Sequence, residues 1–597
     1  MPSVKRLTIV QNFQQQNRSV VLVPNSGDPL AFIIDAAKKK LRIKKPSKVK
    51  VFRSDGTQVT ESSSILDLDT DSTILISSGE PFVGGGTAQS LPPIAALASL
   101  STPSASSLPA TNPSESHQPD IPSEAIVLAH ESYVDPSAIA QLKAISKLQG
   151  VLSTIGMPDL HPGTTFPIGA IVITNHSTIR PALIGGDIGC GMGLYVTGIS
   201  ASEAREKPSW IANKIRDIEG AWEGGNGCTV EEWLREAGVI SIDSTWNSSL
   251  GTIGGGNHFA ELQVVEKIWD QDAFDEFVTP AFFPSSLREQ RLRPGDRKDV
   301  PSSLETKDFT SNLFLLVHSG SRGLGQNILA STKSSLSSAG IHTGAPLAEG
   351  TEEFDTYLSR HDDACRWACC NRDLIAHRIL ERIDETYNPR PPHTSGIDPD
   401  SECVSSIPFK LKRRKVLDIW HNNVERNSDW APSIISPAEF PTSININPTS
   451  PLAPNHVWVH RKGAAPSDRG LVIIPGSRGA YSFLVLPTGP QHRNGFSLAH
   501  GAGRQLTRTK ALADFSRKYS PGPSKGKKSE ERSRHDASSL ETTRFGGKVI
   551  CEDKDLLFEE IPEAYKDIEN VVKDLADEGI VKIVATLAPV VTYKVRK

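Results

Sequence analysis

The sequence lacks three features that would assign it to a class at once: a long apolar run, a secretory leader and a regular set of cysteines. No apolar stretch is long enough to span a bilayer, so we expect no membrane insertion. The N-terminal residues MPSVKRLTIVQNF have neither the apolar segment nor the small-residue cleavage site of a secretory signal. Seven irregularly placed cysteines do not form a secreted disulfide framework, which favours a reduced cytoplasmic or nuclear compartment.

A strong charge of one sign is also missing. Lys and Arg number 65 and Asp and Glu number 69, which leaves a formal net charge of −4. Any nucleic-acid binding must therefore come from local basic patches. A hydrophobic content of 37% is typical of a soluble protein with a sizeable core, and 597 residues predict two or more folded units.

Residues 1–82 predict a small β-grasp domain that resembles ubiquitin-like and doublecortin-like domains. Two strand-like runs precede Asp28, which is expected to cap a helix with Pro29 at its first position. Apolar residues then recur on one helical face at Leu30, Ile33, Ile34, Ala37 and Leu41. The basic stretch 38–50 is either a solvated helix end and loop or a surface for a protein or nucleic-acid partner.

Residues 83–123 are rich in Ser, Pro and Ala and predict a disordered linker. A catalytic unit is expected over 124–597, beginning with a helix capped by Asp135. Three stretches of this unit, 283–310, 388–414 and 519–540, are typical of surface insertions. The basic run 410–415 is either a nuclear-import signal or a solvated loop.

The most informative chemistry-bearing residue is Cys190, in the segment Asp187-Ile188-Gly189-Cys190-Gly191. Three histidines in glycine-rich or Asn-flanked contexts accompany it: His258, His318 and His421. Mixed Asp, Cys and His ligands suit zinc, manganese, iron or cobalt and do not suit magnesium or calcium alone. Because these histidines are far apart in the sequence, only the tertiary fold can bring them together. The competing interpretation of each is a hydrogen-bonded structural histidine.

A second segment, His500-Gly501-Ala502-Gly503-Arg504, continues to Arg508. An accessible imidazole beside two guanidinium groups is suited to attack a phosphorus atom while arginine holds the phosphate oxygens. The alternative is a histidine in a structural glycine turn. The loop Gly476-Ser477-Arg478-Gly479 exposes backbone N–H groups of the kind that hold phosphates, although the GxxxxGK[ST] phosphate loop is absent.

The ordered motifs resemble those of the RtcB-type RNA ligases, the GTP-dependent enzymes of transfer-RNA splicing and RNA repair. The resemblance covers nearly all of 124–597, including Glu563-Ala564-Tyr565-Lys566-Asp567, and implies an α+β catalytic domain. The motifs that carry it are MPDLHPG (157–163), DIGCGM (187–192), GGGNHFAEL (254–262), HSGSRGLG (318–325), HNNVE (421–425), HRKGAAPS (460–467), IPGSRGAYS (474–482) and HGAGR (500–504).

The resemblance implies two Mn²⁺ ions bridged by Cys190 and held by Asp187, His258, His318 and His421. It implies that His500 attacks the α-phosphorus of GTP and that the resulting histidine-bound GMP passes to an RNA 3′-phosphate. A 5′-hydroxyl then displaces GMP and seals the strand. The residues implied to bind the nucleotide are Asn257, Glu261, Asn422, Pro475, Gly476, Ser477, Arg478, Ser482, Gly501, Ala502, Gly503 and Lys594.

For the RNA, the resemblance makes Asp159 and His161 candidates for positioning the RNA end or for hydrolysing a 2′,3′-cyclic phosphate. Arg322, Arg504 and Arg508 are implied to contact its phosphates. Two alternatives stay open: an enzyme that caps or heals RNA 3′ ends without sealing them, and a non-enzymatic scaffold. The N-terminal domain is expected to serve a protein partner or localisation.

Overall fold

The structure is a computed structural model. It describes residues 4–11, 18–24, 27–41, 49–53, 57–68, 72–77, 125–225, 228–239, 242–282, 311–338, 344–387, 411–428, 456–519 and 537–594. The predicted linker 83–123 lies outside these residues, as do most of the three predicted insertions. The chain divides into two compact units, one of residues 1–92 with 507–520 and one of residues 93–506 with 521–597.

The first unit contains a five-stranded sheet in the order β2-β1-β5-β3-β4, with β1 and β5 parallel. Its N-terminal elements are β1 Val4–Gln11, β2 Arg18–Pro24, α1 Pro29–Lys40, β3 Lys50–Arg53, β4 Gln58–Val59, α2 Ser63–Leu66 and β5 Thr73–Ser77. The predicted cap is confirmed, because the Asp28 carboxylate accepts hydrogen bonds from the N–H groups of Leu30 and Ala31. Ile33 and Ala37 pack into the core of this unit. Its assignment as a β-grasp domain stays a prediction.

The second unit mixes strands and helices, which confirms the α+β class. Its strands are β6 Ala125–Val127, β7 Val151–His161, β8 Ile168–Thr174, β9 Thr178–Ile179, β10 Gly191–Ser200, β11 Phe259–Ile268, β12 Asn312–Ser319, β13 Leu347–Ala348, β14 Lys415–Trp420, β15 Asn422–Asn427, β16 Val457–Lys462, β17 Ala464–Pro466, β18 Val472–Pro475, β19 Ser482–Pro487, β20 Ser497–Ala499, β21 Lys548–Ile550 and β22 Val581–Tyr593.

The helices that follow α2 are α3 Pro136–Ile145, α4 Pro181–Ile184, α5 Ala201–Glu206, α6 Pro208–Lys214, α7 Val230–Glu236, α8 Gln271–Phe277, α9 Gly323–Ser338, α10 Glu352–Ile383, α11 Arg508–Tyr519, α12 Lys554–Glu559 and α13 Ile568–Asp577. Of these, α11 belongs to the first unit. The predicted cap of α3 is confirmed, since the Asp135 carboxylate accepts from the Ser137 N–H at 2.8 Å. Among the described residues, none of the helices combines the length and apolar character needed to cross a bilayer.

A large sheet organises the second unit. Its strands run in the order β14-β10-β12-β11-β22-β19-β18, with β21 also paired to β22, and a separate sheet has the order β15-β16-β8-β7-β6. Alternate residues of β12 enter two cores: Leu313 and Leu315 join the core that includes α10, whereas Phe314 and Leu316 join the core shared with strands of the other sheet. This alternation is the period-two pattern of a strand buried on both faces. It directs the next even-numbered residue, His318, toward the second core.

Helix α10 has 32 residues and many of its side chains are buried. Cys365 and Cys370 are buried in it, and Cys369 is partly buried. The helix also buries two large polar residues, Asn371 and Arg372, which are both 0% exposed.

Candidate active site

The predicted metal ligands lie at one edge of four adjacent strands. His421 directly follows β14, Cys190 directly precedes β10, His318 lies near the end of β12, and His258 directly precedes β11. Because neighbouring strands in the order β14-β10-β12-β11 are antiparallel, these two strand ends and two strand starts meet at the same edge. The backbone joins them, since the His421 N–H donates to the Cys190 carbonyl at 2.7 Å.

The side chains converge at this edge. Cys190 Sγ lies 3.3 Å from both His258 Nε2 and His318 Nε2. His318 Nε2 is 3.3 Å from His421 Nε2, and His258 Nε2 is 2.9 Å from an Asp187 carboxylate oxygen. Within the described residues these form two groups that could hold a metal ion, Cys190 with His318 and His421, and Cys190 with Asp187 and His258. The thiol is common to both groups.

The chemistry of these donors fits a pair of transition-metal ions. Burial lowers the pKa of His318 and His421 well below the usual value, so both rings are neutral and have lone pairs to offer. The His258 Nδ1 lies 3.1 Å from the Ile253 carbonyl, which directs its Nε2 toward Cys190. Burial, together with nearby Asp187, raises the pKa of the Cys190 thiol, so metal binding there must displace a proton. A Cβ at position 320 would lie 2.2 Å from an Asp187 carboxylate oxygen, so the position of this carboxylate requires glycine there.

The predicted nucleophile lies beside this cluster. The ring centroid of His500 is 4.6 Å from that of His421. Its Nδ1 is 2.6 Å from the carboxylate of the fully buried Asp159, which also accepts from the His500 backbone N–H at 3.2 Å. The close approach requires glycine at 503, because its φ is +68° and a Cβ there would lie 2.3 Å from the Asp159 carbonyl oxygen. Asp159 therefore orients His500, a role that the sequence did not indicate.

Lys566 holds the strand that carries Asp159. Its ammonium group donates to the carbonyls of Pro158 and Leu160, at 2.8 and 2.7 Å, one on each side of Asp159. Burial lowers the Lys566 pKa to about 8, against the opposing effect of Asp159. His161, the other predicted catalytic residue of this strand, lies with its Nδ1 2.8 Å from the Asp159 carbonyl, and burial lowers its pKa to about 3.

A second buried polar group connects β11, β19 and β22. Glu261 accepts from the Gln263 amide at 2.8 Å and from the Thr592 hydroxyl, while the same amide donates to the Ser482 hydroxyl at 2.7 Å. Burial raises the Glu261 pKa to about 7. Of the predicted nucleotide ligands, Glu261 and Ser482 are thus brought together.

The other predicted nucleotide ligands surround these two groups. The Ala502 N–H donates to the Pro475 carbonyl at 3.0 Å, so the loop 475–479 lies against the loop 500–503. The Asn422 amide donates to the Asp187 carbonyl at 3.1 Å, and its oxygen accepts from the Gly463 N–H at 2.8 Å. Within the loop 475–479, the Gly476 N–H donates to the Tyr481 carbonyl and the Ser477 carbonyl accepts from the Ala480 N–H. The buried Arg478 guanidinium donates to the Leu557 carbonyl. Asn257, next to His258, is partly exposed.

Comparison with known proteins assigns the chain to a family. The family of tRNA-splicing ligase RtcB matches residues 141–234 and 226–595. An RNA-splicing ligase RtcB2 of Escherichia coli is 35% identical over 469 residues, which is 78% of this chain and 94% of that protein. A tRNA-splicing ligase RtcB of Methanococcus maripaludis is 27% identical over 76% of this chain and 90% of its own length. An RNA-splicing ligase RtcB homolog 1 of Entamoeba dispar is 24% identical over 77% of this chain and 82% of its own length.

The chain belongs to the RtcB family. The family is one of tRNA-splicing RNA ligases, and the matched residues include every predicted metal ligand, His500 and Lys594. Residues 1–140 lie outside the family match.

Of the three arginines predicted to contact RNA in this RtcB-family protein, Arg504 and Arg322 donate hydrogen bonds within the protein. The Arg504 guanidinium donates to Glu560, Tyr565 and two backbone carbonyls, of Leu506 and Glu559. It thus holds the segment 559–565 in place. Arg322 donates to the Thr252 hydroxyl at 3.2 Å, and Arg508 begins helix α11, which belongs to the first unit. Contacts of all three with RNA stay predictions.

Lys594 is also engaged within the protein. Its ammonium group donates to the carbonyls of Gly256 and His258 and to the Glu560 carboxylate, at 3.2 to 3.4 Å. This C-terminal lysine therefore supports the loop that carries His258. Reading of the guanine edge by Lys594 stays a prediction.

Proposed function

We propose that this RtcB-family protein joins RNA 3′-phosphate or 2′,3′-cyclic phosphate ends to 5′-hydroxyl ends, using GTP and two Mn²⁺ ions. One observation carries the proposal: a single thiol is shared by two groups of metal-ligating atoms, and a carboxylate-oriented imidazole lies beside them. That combination suits the activation of a phosphate, which by itself has no acceptable leaving group.

The protein residues define the first step. Asp159 accepts a hydrogen bond from the Nδ1–H of His500, so Nε2 keeps its lone pair and attacks the α-phosphorus of GTP. The bond from this phosphorus to the β-phosphate oxygen breaks, pyrophosphate leaves, and GMP is joined to His500 by a phosphorus–nitrogen bond. Glu261, Ser482 and the loop 475–479 hold the nucleotide.

The later steps transfer and then release GMP. An oxygen of the RNA 3′-phosphate attacks the phosphorus of the His500 adduct, which restores the free imidazole and gives a guanylylated RNA end. The 5′-hydroxyl of the second strand then attacks the RNA phosphorus and displaces GMP. Two Mn²⁺ ions held by Asp187, Cys190, His258, His318 and His421 would neutralise charge on the phosphate oxygens. We assign Asp159 and His161 as the candidates to act on a cyclic phosphate.

The test is intact-mass measurement after incubation with Mn²⁺ and GTP. We expect the parent chain to gain the mass of one GMP, and His500→Ala and Cys190→Ala to gain none. His460→Ala and Cys370→Ala are matched controls, because these side chains are also buried and lie outside the cluster. Undiminished adduct in His500→Ala would remove the proposed nucleophile.

Sealing is tested with paired RNA ends that carry a 3′-phosphate and a 5′-hydroxyl. We expect a joined product, and guanylylated 3′ ends only where the 5′ end is blocked. Guanylylated ends that accumulate on ligatable pairs would favour the alternative, an enzyme that caps ends without joining them.

A further inference from the structure

Helix α10 carries two neighbouring polar side chains that contact no solvent, Asn371 and Arg372. Burial of a charged or amide side chain in a helix surrounded by apolar residues is costly unless every polar atom is satisfied. The hydrogen-bond partners of these two residues therefore indicate their role. Nearly all of them lie in segments that carry a proposed metal ligand.

Arg372 connects three of those segments. Its Nη1 donates to the carbonyls of Gly189 and Ser319, at 2.9 and 3.0 Å. Gly189 precedes Cys190 and Ser319 follows His318, so each bond lies one residue from a ligand. The Nε and Nη2 atoms donate to the two Asp418 carboxylate oxygens, at 3.0 and 2.5 Å. Asp418 lies three residues before His421, on β14.

Asn371 connects the fourth segment. Its Oδ1 accepts from the Gly251 N–H at 2.7 Å and its Nδ2 donates to the Thr252 carbonyl at 3.2 Å. The same Nδ2 lies 3.1 Å from the Ser319 hydroxyl and 3.3 Å from the Gly320 carbonyl. Ser319 Oγ in turn donates to Ile253, whose carbonyl also orients His258 Nδ1.

We propose that Asn371 and Arg372 are positioning residues that hold the four ligand-bearing segments at the separation required by the metal pair. The inference rests on the metal centre of the proposed function. The buried carbonyls of Gly189, Thr252 and Ser319 need hydrogen-bond donors, and these two side chains supply them beside the ligands. A guanidinium supplies several donors in one rigid plane, and one amide supplies both a donor and an acceptor.

The decisive variant is Arg372→Lys. It keeps the positive charge next to Asp418, but an ammonium group cannot reproduce the planar fork that reaches Asp418, Gly189 and Ser319 together. The matched control is Arg461→Lys: Arg461 is 1% exposed and donates to Glu425, Ser497 and the Phe496 carbonyl. None of these partners lies within three residues of a proposed metal ligand in the sequence.

The measurement is titration of the metal-free full chain with Mn²⁺, and with Co²⁺ followed by its visible absorption, together with thermal unfolding of the metal-free form. We expect Arg372→Lys to weaken Mn²⁺ affinity roughly 10- to 100-fold and to alter the Co²⁺ spectrum. Arg461→Lys is expected to lower the unfolding temperature while leaving both metal readouts at the parent values. If Arg372→Lys fails to fold, Asn371→Ser takes its place, because it leaves the Arg372–Asp418 pair intact, and the same weakening is expected.

Parent-like affinity and spectrum in a folded Arg372→Lys or Asn371→Ser would overturn the positioning role while leaving the metal centre in place. Equal weakening in Arg461→Lys would also overturn it, because the effect would then reflect loss of any buried guanidinium. Failure of the parent chain to bind Mn²⁺ at all would remove the proposed metal centre together with the positioning role.

Discussion

At the scale of single residues, two of the proposed reactive histidines are oriented by a hydrogen-bond partner within the protein. Asp159 on β7 orients His500, and the Ile253 carbonyl orients His258. The sequence pointed to these histidines as candidates because their motifs are local and rich in glycine or asparagine. It did not identify Asp159 as the partner of His500, because 341 residues separate them and no spacing rule connects them.

The Asp159–His500 contact gives a first prediction. Asp159→Asn removes the negative charge that selects the tautomer with a free Nε2, so we expect the rate of His500 adduct formation to fall about 10²-fold or more. Adduct formation is followed by intact mass against time. Asp135→Asn, at the cap of α3, is the control for general stability, and similar rates in both variants would contradict the orienting role.

Glu261 gives a prediction about pH. Its pKa rises from 4.5 to about 7 because of burial, so the folded form binds a proton more readily than the unfolded form. Its contribution to stability is therefore fully present below about pH 4.5 and is lost as the pH rises through about 7. Gln at this position does not titrate. Relative to the parent, Glu261→Gln is expected to gain up to about 3 kcal/mol of unfolding free energy between pH 4.5 and pH 8.

Urea unfolding of the nucleotide-free protein at several pH values measures this difference. The exposed Glu276→Gln is the control for loss of one negative charge. A difference between Glu261→Gln and the parent that stays constant with pH would show that Glu261 is ionised throughout the range.

At the scale of elements, the site forms where strands begin and end. Capping residues and periodicity predicted the start of α1 and of α3, since both signals lie within a few residues of the helix. The same reasoning says little about the polar positions of α10. It missed Asn371 and Arg372, because a buried polar residue in a helical pattern has the same sequence signature as an exposed one. The order of the strands at the site edge likewise depends on long-range pairing.

The loop after His500 gives the element-scale prediction. Gly503 and Gly579 have nearly equal φ angles, +68° and +69°, but a Cβ at 579 meets no atom within 4 Å. Gly579→Ala is expected to cost only about 1–2 kcal/mol of stability, from the left-handed backbone. Gly503→Ala is expected to cost more and to slow His500 adduct formation, because the new methyl group displaces Asp159.

Chemical unfolding and the adduct assay, run on both alanine variants, separate the two effects. Equal stability and equal adduct rates in the Gly503→Ala and Gly579→Ala variants would contradict the prediction. They would show that the loop containing residue 503 accommodates the methyl group without displacing Asp159.

At the scale of the whole molecule, all five proposed metal ligands and His500 belong to the second unit. The composition indicated more than one folded unit, and the motifs placed the catalytic unit. No sequence signal placed α11, residues Arg508–Tyr519, with the first unit rather than the second. Grouping of that kind depends on contacts between distant segments.

This division predicts that a chain without residues 1–82 still forms the His500 adduct. We expect its rate to stay within about twofold of the parent, because a folded unit with its own core retains its site. The measurement is intact mass with Mn²⁺ and GTP. Loss of the adduct in a truncated chain that still binds Mn²⁺ would assign the first unit a part in nucleotide chemistry.

Strand β22 pairs with β11 on one side and β19 on the other, so residues 581–593 occupy the interior of the large sheet. During synthesis on the ribosome, β11 and β19 cannot complete their pairing in this sheet until residues 581–593 have emerged. A message truncated before codon 581 would therefore yield a nascent product with every proposed metal ligand and His500 present, yet with the sheet that aligns them incomplete.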